Sequence, residues 1–221
     1  MKLYLSSNKI GNRADEIKKW IASNSNRIII ITNAKDYVPD LERTERVDKV
    51  VLNDIAELES VGFEVERLDL RDYFGKKEEL EKIFTRIKAF YVIGGNTFGL
   101  RKAMNLSGFD ELLIKYANEP EYFYGGYSAG SCVLSKDIRG VALLDNPDID
   151  PYNSGLGAIY NGIGLIEDTI IPHFETNPKY AKTANSAVRF CKENGITYRT
   201  LRDGDVIIKD MQKEIDIDTE R

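Results

Sequence analysis

The chain has 221 residues, of which 42% are hydrophobic, and a formal net charge of −5. This length supports one sizeable core and favours a single domain over residues 1–221. The acidic balance argues against a nucleic-acid partner, and no apolar run approaches the length needed to span a membrane. Because the N-terminal segment turns polar early and the two cysteines form neither a disulfide framework nor a zinc-ligand pattern, we expect a cytoplasmic location.

Strands and helices are predicted to alternate along the first half of the chain. Four consecutive isoleucines, Ile28 to Ile31, are typical of a strand that is buried on both faces, as in a parallel sheet. Asn12 is predicted to cap the first helix and Gly62 to end the second. The predicted elements are strands at 2–6, 27–32, 63–68 and 89–93, and helices at 12–21, 41–61 and 76–88.

The second half continues the alternation around a long irregular segment. We interpret that segment, 137–164, as a lid that excludes large substrates, because long loops in compact domains are usually functional. Strand-helix alternation with Ile- and Val-rich strands predicts an α/β layered fold around a mostly parallel sheet. The predicted elements are helices from Thr97, Asp110, Ala129 and Pro178, strands at 121–125 and 169–171, two strands within 197–209 with a turn at Asp203–Gly204, and one strand in the tail.

The most informative motif is Gly126-Tyr127-Ser128-Ala129-Gly130. It has the G-x-S-x-G spacing of a nucleophile elbow and stands between a predicted strand and a predicted helix, which is the context that the motif requires. Ser128 is therefore the candidate nucleophile, and the amide of Ala129 is a candidate oxyanion donor. The alternative is a tight structural turn in which Ser128 only caps the helix.

A serine nucleophile needs a base, and a base is best oriented by an acid. The chain has one histidine, His173, so a Ser-His pair would have to use it. For the acid we favour Asp145, which follows the apolar run 141–144. Other acids stay open: Asp148, Asp150, Glu167 and Asp168.

A second oxyanion donor is predicted in Gly94-Gly95-Asn96-Thr97, which follows a buried strand and opens a helix. Amides at a helix N-terminus bind anions, and glycine allows a substrate carbonyl to approach the backbone closely. Gly95 is the first choice and Gly94 the second. A phosphate-binding loop is a weaker reading, since no Walker lysine and serine follow, and a plain tight turn is the other alternative.

These residues together resemble the peptidase E family of serine peptidases, which includes aspartyl dipeptidases and cyanophycinases. The resemblance rests on Ser6-Ser7 in the first strand, on 92–98, on the elbow and on Pro172-His173-Phe174, in this order. It implies a three-layer sandwich similar to class I glutamine amidotransferases, with serine in place of the usual elbow cysteine. It also implies a Ser, acid, His order, which Ser128, Asp145 and His173 satisfy.

One stretch departs from the aspartyl dipeptidases of this family. The arginine-containing stretch that they carry after the catalytic histidine, tied to recognition of the aspartyl side chain, is missing from residues 175–183. Lys179, Lys182 and Arg189 are the candidates to replace that arginine.

The predicted function is therefore hydrolysis of short peptides by a serine-type dipeptidase, with aspartyl-X dipeptides among the candidate substrates. The triad and the two amides would suffice, so no metal or cofactor is expected. Two alternatives stay open: a serine esterase or amidase acting on a small metabolite, and a non-catalytic binding protein that keeps the amidotransferase-like fold.

Overall fold

The computed structural model describes residues 1–38, 45–176 and 178–213. Its centre is a six-stranded sheet in the order β3-β2-β4-β5-β1-β8, in which β8 runs antiparallel to β1 and the other neighbours are parallel. The short strands β6 and β7 pair with each other in a separate parallel sheet. The strands are β1 (Lys2–Ser6), β2 (Arg27–Ile31), β3 (Glu64–Leu68), β4 (Ala89–Val92), β5 (Phe123–Tyr127), β6 (Thr169–Ile171), β7 (Tyr198–Thr200) and β8 (Val206–Asp210).

Helices cover both faces of the sheet, which makes the fold a three-layer α/β sandwich. The isoleucines of β2 alternate between two hydrophobic clusters, with Ile28 and Ile30 in one and Ile29 and Ile31 in the other. The first cluster includes side chains from α1 and α2, and the second includes side chains from α3 to α6. The helices are α1 (Ala14–Ser23), α2 (Glu45–Ser60), α3 (Lys77–Arg86), α4 (Thr97–Ser107), α5 (Phe109–Tyr116), α6 (Ala129–Cys132) and α7 (Pro178–Glu193).

The predicted elements and the observed ones agree in most places. Gly62 follows α2 with a φ of 113°, as expected of a residue that ends a helix. Asn12 does not cap α1, because Arg13 holds that position and makes no capping hydrogen bond with its side chain. The first residues of the helix predicted at 41–61 and the strand predicted in the tail lie outside the described residues.

The segment 137–164 is irregular, as predicted, apart from a short 3-10 helix, but it is tied to α4. Asn96 Nδ2 donates to the carbonyl of Asn146, Lys102 Nζ donates to that of Ile149, and Arg101 Nε donates to that of Asn161. Arg101 also pairs with Asp110 at 2.7 Å, and Lys102 is only 1% exposed. These contacts hold the predicted lid segment against α4 as one wall of the site. Among the described residues, no helix is long and apolar enough to cross a bilayer.

Candidate active site

The elbow has the geometry that its motif predicts. Ser128 lies between β5 and α6 with φ 51° and ψ −114°, a conformation that costs a non-glycine residue about 1–3 kcal/mol. A Cβ on Gly126 would lie 2.8 Å from the Gly130 carbonyl, and one on Gly130 would lie 2.2 Å from the Val92 carbonyl oxygen. Both glycines are therefore required by close approach of the backbone, which holds Ser128 above the edge of the sheet.

His173 follows β6 and faces Ser128 across this edge. Its Nε2 lies 3.2 Å from Ser128 Oγ, and its ring stacks on Tyr180 of α7 with a centroid separation of 4.8 Å. The backbone of His173 is also unusual, with a φ of 61°. The structure thus brings together the two residues that we predicted as nucleophile and base.

The acid beside the imidazole is Asp203, which our sequence analysis did not consider. Asp203 Oδ1 lies 2.6 Å from His173 Nδ1, so Nδ1 carries the hydrogen and Nε2 is left to accept one from the serine. Ser7 fixes this pair, because its Oγ donates to Asp203 Oδ1 at 2.8 Å and accepts from the backbone amide of His173 at 2.8 Å. Thr176 Oγ1 also accepts from the Asp203 amide.

Asp203 precedes a strand instead of following one. Sites in parallel sheets collect at the carboxyl ends of the strands, and β8 is antiparallel to β1. The N-terminal end of β8 therefore meets the carboxyl ends of β1 and β5 at the same edge of the sheet. The turn at Asp203–Gly204 was predicted, but nothing local in the sequence indicates which strand lies next to it, so Asp203 was assigned no role. Ser7, which follows β1, was assigned no role either.

Asp145, our favoured acid, does not hydrogen-bond the imidazole. Its Oδ2 accepts hydrogen bonds from the amide of Thr97 at 2.9 Å and from Thr97 Oγ1 at 2.6 Å, so the N-terminus of α4 holds the carboxylate. Burial raises the pKa of Asp145, and the bonds from Thr97, together with the charges of His173 and Lys35, oppose that shift. Asp203 therefore stands where we expected Asp145.

The other candidate acids have partners elsewhere. Glu167 pairs with Lys136 at 2.7 Å, and Asp168 lies 3.6 Å from Arg199. Asp150 accepts from Ser154 Oγ and from the amide of Gly155 within its own turn, and Asp148 is exposed. Among the described residues, Asp203 is the carboxylate that hydrogen-bonds His173.

The predicted oxyanion donors are near Ser128: the glycine loop passes beside it, and Ala129 follows it in the chain. A Cβ on Gly94 would lie 3.0 Å from Ser128 Cβ, and one on Gly95 would lie 2.0 Å from the Ala34 carbonyl oxygen, so this loop passes close to the nucleophile with no room for side chains. Within the described part of the chain, no hydrogen bond occupies the amides of Gly95 or Ala129. Both are free to bind the oxygen of a reacting carbonyl.

These groups open into a cavity of about 580 Å³. Lysines contribute most of its charge. Lys9 is already paired with Asp54, whereas no hydrogen bond or ion pair among the described residues involves the ammonium of Lys35. Burial lowers the pKa of Lys35. Lys179 lines the cavity beside Tyr180, so one of the three cations that we considered as replacements for the missing arginine reaches the site, and Lys35 was missed.

Comparison with known proteins agrees with this geometry. Residues 3–215 match the sequence model of Peptidase family S51. The chain belongs to this family. The match covers nearly the whole chain and confirms the resemblance to peptidase E that the elbow, the glycine loop and the Pro-His-Phe segment indicated.

Two curated relatives support the assignment. The uncharacterized peptidases Lmo0363 of Listeria monocytogenes and Lin0382 of Listeria innocua are 28% and 26% identical over 147 and 145 residues. These matches span 64% of this chain and 66% and 65% of the relatives' lengths, just under two thirds.

The solved structures establish the similarity of fold. A Listeria monocytogenes EGD-e protein named for peptidase E aligns with a TM-score of 0.75 at 20% identity, covering 99% of this chain and 98% of that one. A peptidase from an acI-B1 Actinobacterium aligns with a TM-score of 0.67 at 18% identity, covering 94% and 82%. This chain therefore shares the fold of these two proteins, with a mostly parallel sheet between helical layers.

Proposed function

We propose that this protein is a serine peptidase that hydrolyses short peptides, with dipeptides as its main substrates. The observation that carries the proposal is the chain of contacts from Ser128 Oγ to His173 Nε2, and from His173 Nδ1 to Asp203, at the edge of a cavity. A nucleophile, a base and an acid in hydrogen-bond contact are the parts that acyl transfer needs.

The reaction follows from these contacts. Ser128 Oγ attacks the peptide carbonyl carbon while His173 Nε2 takes its proton, and Asp203 stabilises the imidazolium that forms. The amides of Gly95 and Ala129 bind the oxyanion. His173 then gives the proton to the leaving amine. In the second half of the reaction His173 takes a proton from water, which attacks the ester carbonyl, and returns it to Ser128 Oγ as the bond from Oγ to the carbonyl carbon breaks and the free acid leaves.

The walls of the cavity support a preference for small, acidic substrates. The segment 137–164 is bound to α4 and lines one side of the cavity, which supports a preference for short chains over long ones. Lys35 presents a partly buried ammonium to the cavity, and a substrate carboxylate that pairs with it would compensate a charge that is costly to bury alone. We therefore propose that Lys35 binds a carboxylate of the substrate, which makes Asp-X dipeptides the first candidates.

A panel of dipeptides tests both parts of this proposal. The panel contains Asp-X, Glu-X, Ala-X and Leu-X, with Ser128→Ala as the inactive control. We expect Ser128-dependent cleavage, and a fall of about 10- to 100-fold in kcat/KM for Asp-X in Lys35→Met, because a charge-assisted hydrogen bond is lost. The exposed Lys82→Met on α3 is the matched control. Cleavage of simple esters alone would move the assignment to an esterase, and no hydrolysis or labelling of Ser128 would favour a binding protein.

A further inference from the structure

The imidazole of His173 is held at one edge and at its backbone, and neither contact by itself fixes the plane of the ring. Asp203 accepts from Nδ1 at 2.6 Å, and Ser7 accepts from the amide of His173. The χ2 torsion of histidine is broad, with no sharp staggered wells to hold it. Because Nε2 lies 3.2 Å from Ser128 Oγ, at the long end of hydrogen-bond distances, a modest tilt of the ring would break that contact.

Tyr180 covers a face of this imidazole. The two rings are stacked, with centroids 4.8 Å apart and planes inclined by 23°, and His173 is only 8% exposed. Tyr180 lies near the start of α7, and three buried side chains of α7 form one hydrophobic cluster with Ile171 of β6. Since His173 follows β6 directly, the two rings are carried by elements that pack on each other, which fixes one ring relative to the other.

The ring of Tyr180, and not its hydroxyl, makes the contact with the base. Among the described residues, no hydrogen bond involves Tyr180 Oη; the one bond to this residue reaches its backbone carbonyl. The ammonium of Lys179 also lies over the ring, 5.1 Å from its centroid, but Lys179 is exposed, so water and salt weaken its competition for the ring.

A stacked tyrosine interacts differently with the two protonation states of histidine. The face of an aromatic ring carries negative partial charge, so a neutral imidazole gains dispersion there and an imidazolium gains a cation–π attraction as well. The stack therefore strengthens as His173 takes the proton of Ser128. An interaction that is stronger in the transition state than in the ground state raises kcat.

We propose that Tyr180 is a positioning residue for His173: its ring holds the plane of the imidazole so that Nε2 points at Ser128 Oγ, and it stabilises the imidazolium that forms. This inference rests on the proposed function and adds to it a residue outside the triad. The stack serves both halves of the reaction, because His173 takes a proton first from Ser128 and then from water. A ring without the hydroxyl should serve equally well, and an aliphatic side chain should not.

NMR spectroscopy tests the stack directly, since His173 is the one histidine in the chain. In protein purified without a histidine tag, the ring protons Hδ2 and Hε1 give one unambiguous pair of imidazole signals. At alkaline pH, we expect at least one of them upfield of its position in free neutral histidine, because protons over an aromatic face are shielded. The shift should persist in Tyr180→Phe and be lost in Tyr180→Leu.

Kinetic measurements test the consequence of the stack. Tyr180→Leu should lower kcat for dipeptide hydrolysis by about 3- to 30-fold, the range of a partly desolvated cation–π contact, whereas Tyr180→Phe should stay within about twofold of wild type. The fall should be equal for two dipeptides that differ in the leaving residue, because the lost contact is with the base. Labelling of Ser128 by a serine-directed phosphonate should slow by a similar factor. Phe190→Leu, which removes a ring from α7 outside the cavity, is the matched control and should keep wild-type kcat.

Other results overturn the role of Tyr180. Wild-type imidazole protons without an upfield shift refute the stack, and this result does not depend on the folding of any variant. A loss of kcat in Tyr180→Phe as large as in Tyr180→Leu assigns the effect to the hydroxyl, and an equal loss in Phe190→Leu assigns it to the packing of α7. A loss that depends on the leaving residue makes Tyr180 a substrate contact instead. If wild type neither hydrolyses dipeptides nor is labelled at Ser128, the proposed function fails and this role fails with it, even where the imidazole protons are shielded.

Discussion

Asp203→Asn removes the charge that the mechanism places beside the imidazolium while it preserves the size of the side chain. Asp203 Oδ1 lies 2.6 Å from His173 Nδ1, and the side chain of Asp203 is 24% exposed, so the pair is close but near the surface. With charge centres about 4 Å apart and an effective dielectric constant of about 20, the attraction is about 4 kcal/mol. Since about 1.4 kcal/mol corresponds to a tenfold change in rate, kcat should fall by about 10³.

The assay is steady-state hydrolysis of the best dipeptide, with kcat and KM determined separately. KM should change little, because Asp203 does not line the cavity, and Asp205→Asn on the same turn should stay within a few-fold of wild type. A folded Asp203→Asn enzyme with kcat within tenfold of wild type would refute the assignment of the acid. If Asp145→Asn instead lost three orders of magnitude in kcat on every substrate, Asp145 would be the acid.

Further predictions concern packing and titration. Gly130→Ala should lower the free energy of unfolding by at least about 1–3 kcal/mol, because its Cβ would collide with the Val92 carbonyl. Urea denaturation checks this prediction. Gly157→Ala is the control and should change the free energy of unfolding by close to zero, because a Cβ there would have no atom within 4 Å. Burial raises the pKa of Asp145, so the folded protein binds the carboxyl proton more tightly than the unfolded chain does. Relative to Asp145→Asn, wild type should therefore be least stable above the folded pKa of Asp145, and its stability should recover as the pH falls through that pKa. Urea titrations of both proteins at pH 7 and pH 4 would show this. Because burial lowers the pKa of Lys35, the ratio of kcat/KM for Asp-X to kcat/KM for Ala-X should decline with rising pH before an ordinary lysine titrates; the ratio cancels the titration of the substrate's own α-amino group. Lys35→Met should lack that decline, and a decline of the ratio that persists in the variant would contradict the role of Lys35.

Local patterns predicted most of the elements and the first two members of the site. The conformations of β2 and of the turn around Ser128 can be predicted from a few neighbouring residues, the β-branched run and the glycines, because burial and close backbone approach act locally there. His173 could be chosen because it is the one histidine in the chain. Such arguments need no knowledge of how distant segments pair.

The acid could not be predicted in this way. Asp203 reaches His173 only because β8 pairs antiparallel with β1, and pairing between strands some 200 residues apart leaves no periodic signal in the sequence. Asp145 was favoured because it follows an ordered run between serine and histidine, but the N-terminus of α4 competes for its carboxylate and holds it. Lys35 was missed for a related reason, because its place on the cavity depends on the order of β2 and β4.

The antiparallel edge strand also determines when the chain becomes competent for catalysis. Ser128 and His173 are 45 residues apart, and Asp203 comes 30 residues later, on the connection to β8. During synthesis, the nucleophile and the base leave the ribosome before the carboxylate that orients them, and the triad is complete only when β8 docks against β1. Recovery of activity during refolding would therefore report the last step of sheet assembly. A growing chain with an exposed Ser128 would not yet be able to hydrolyse other peptides around it.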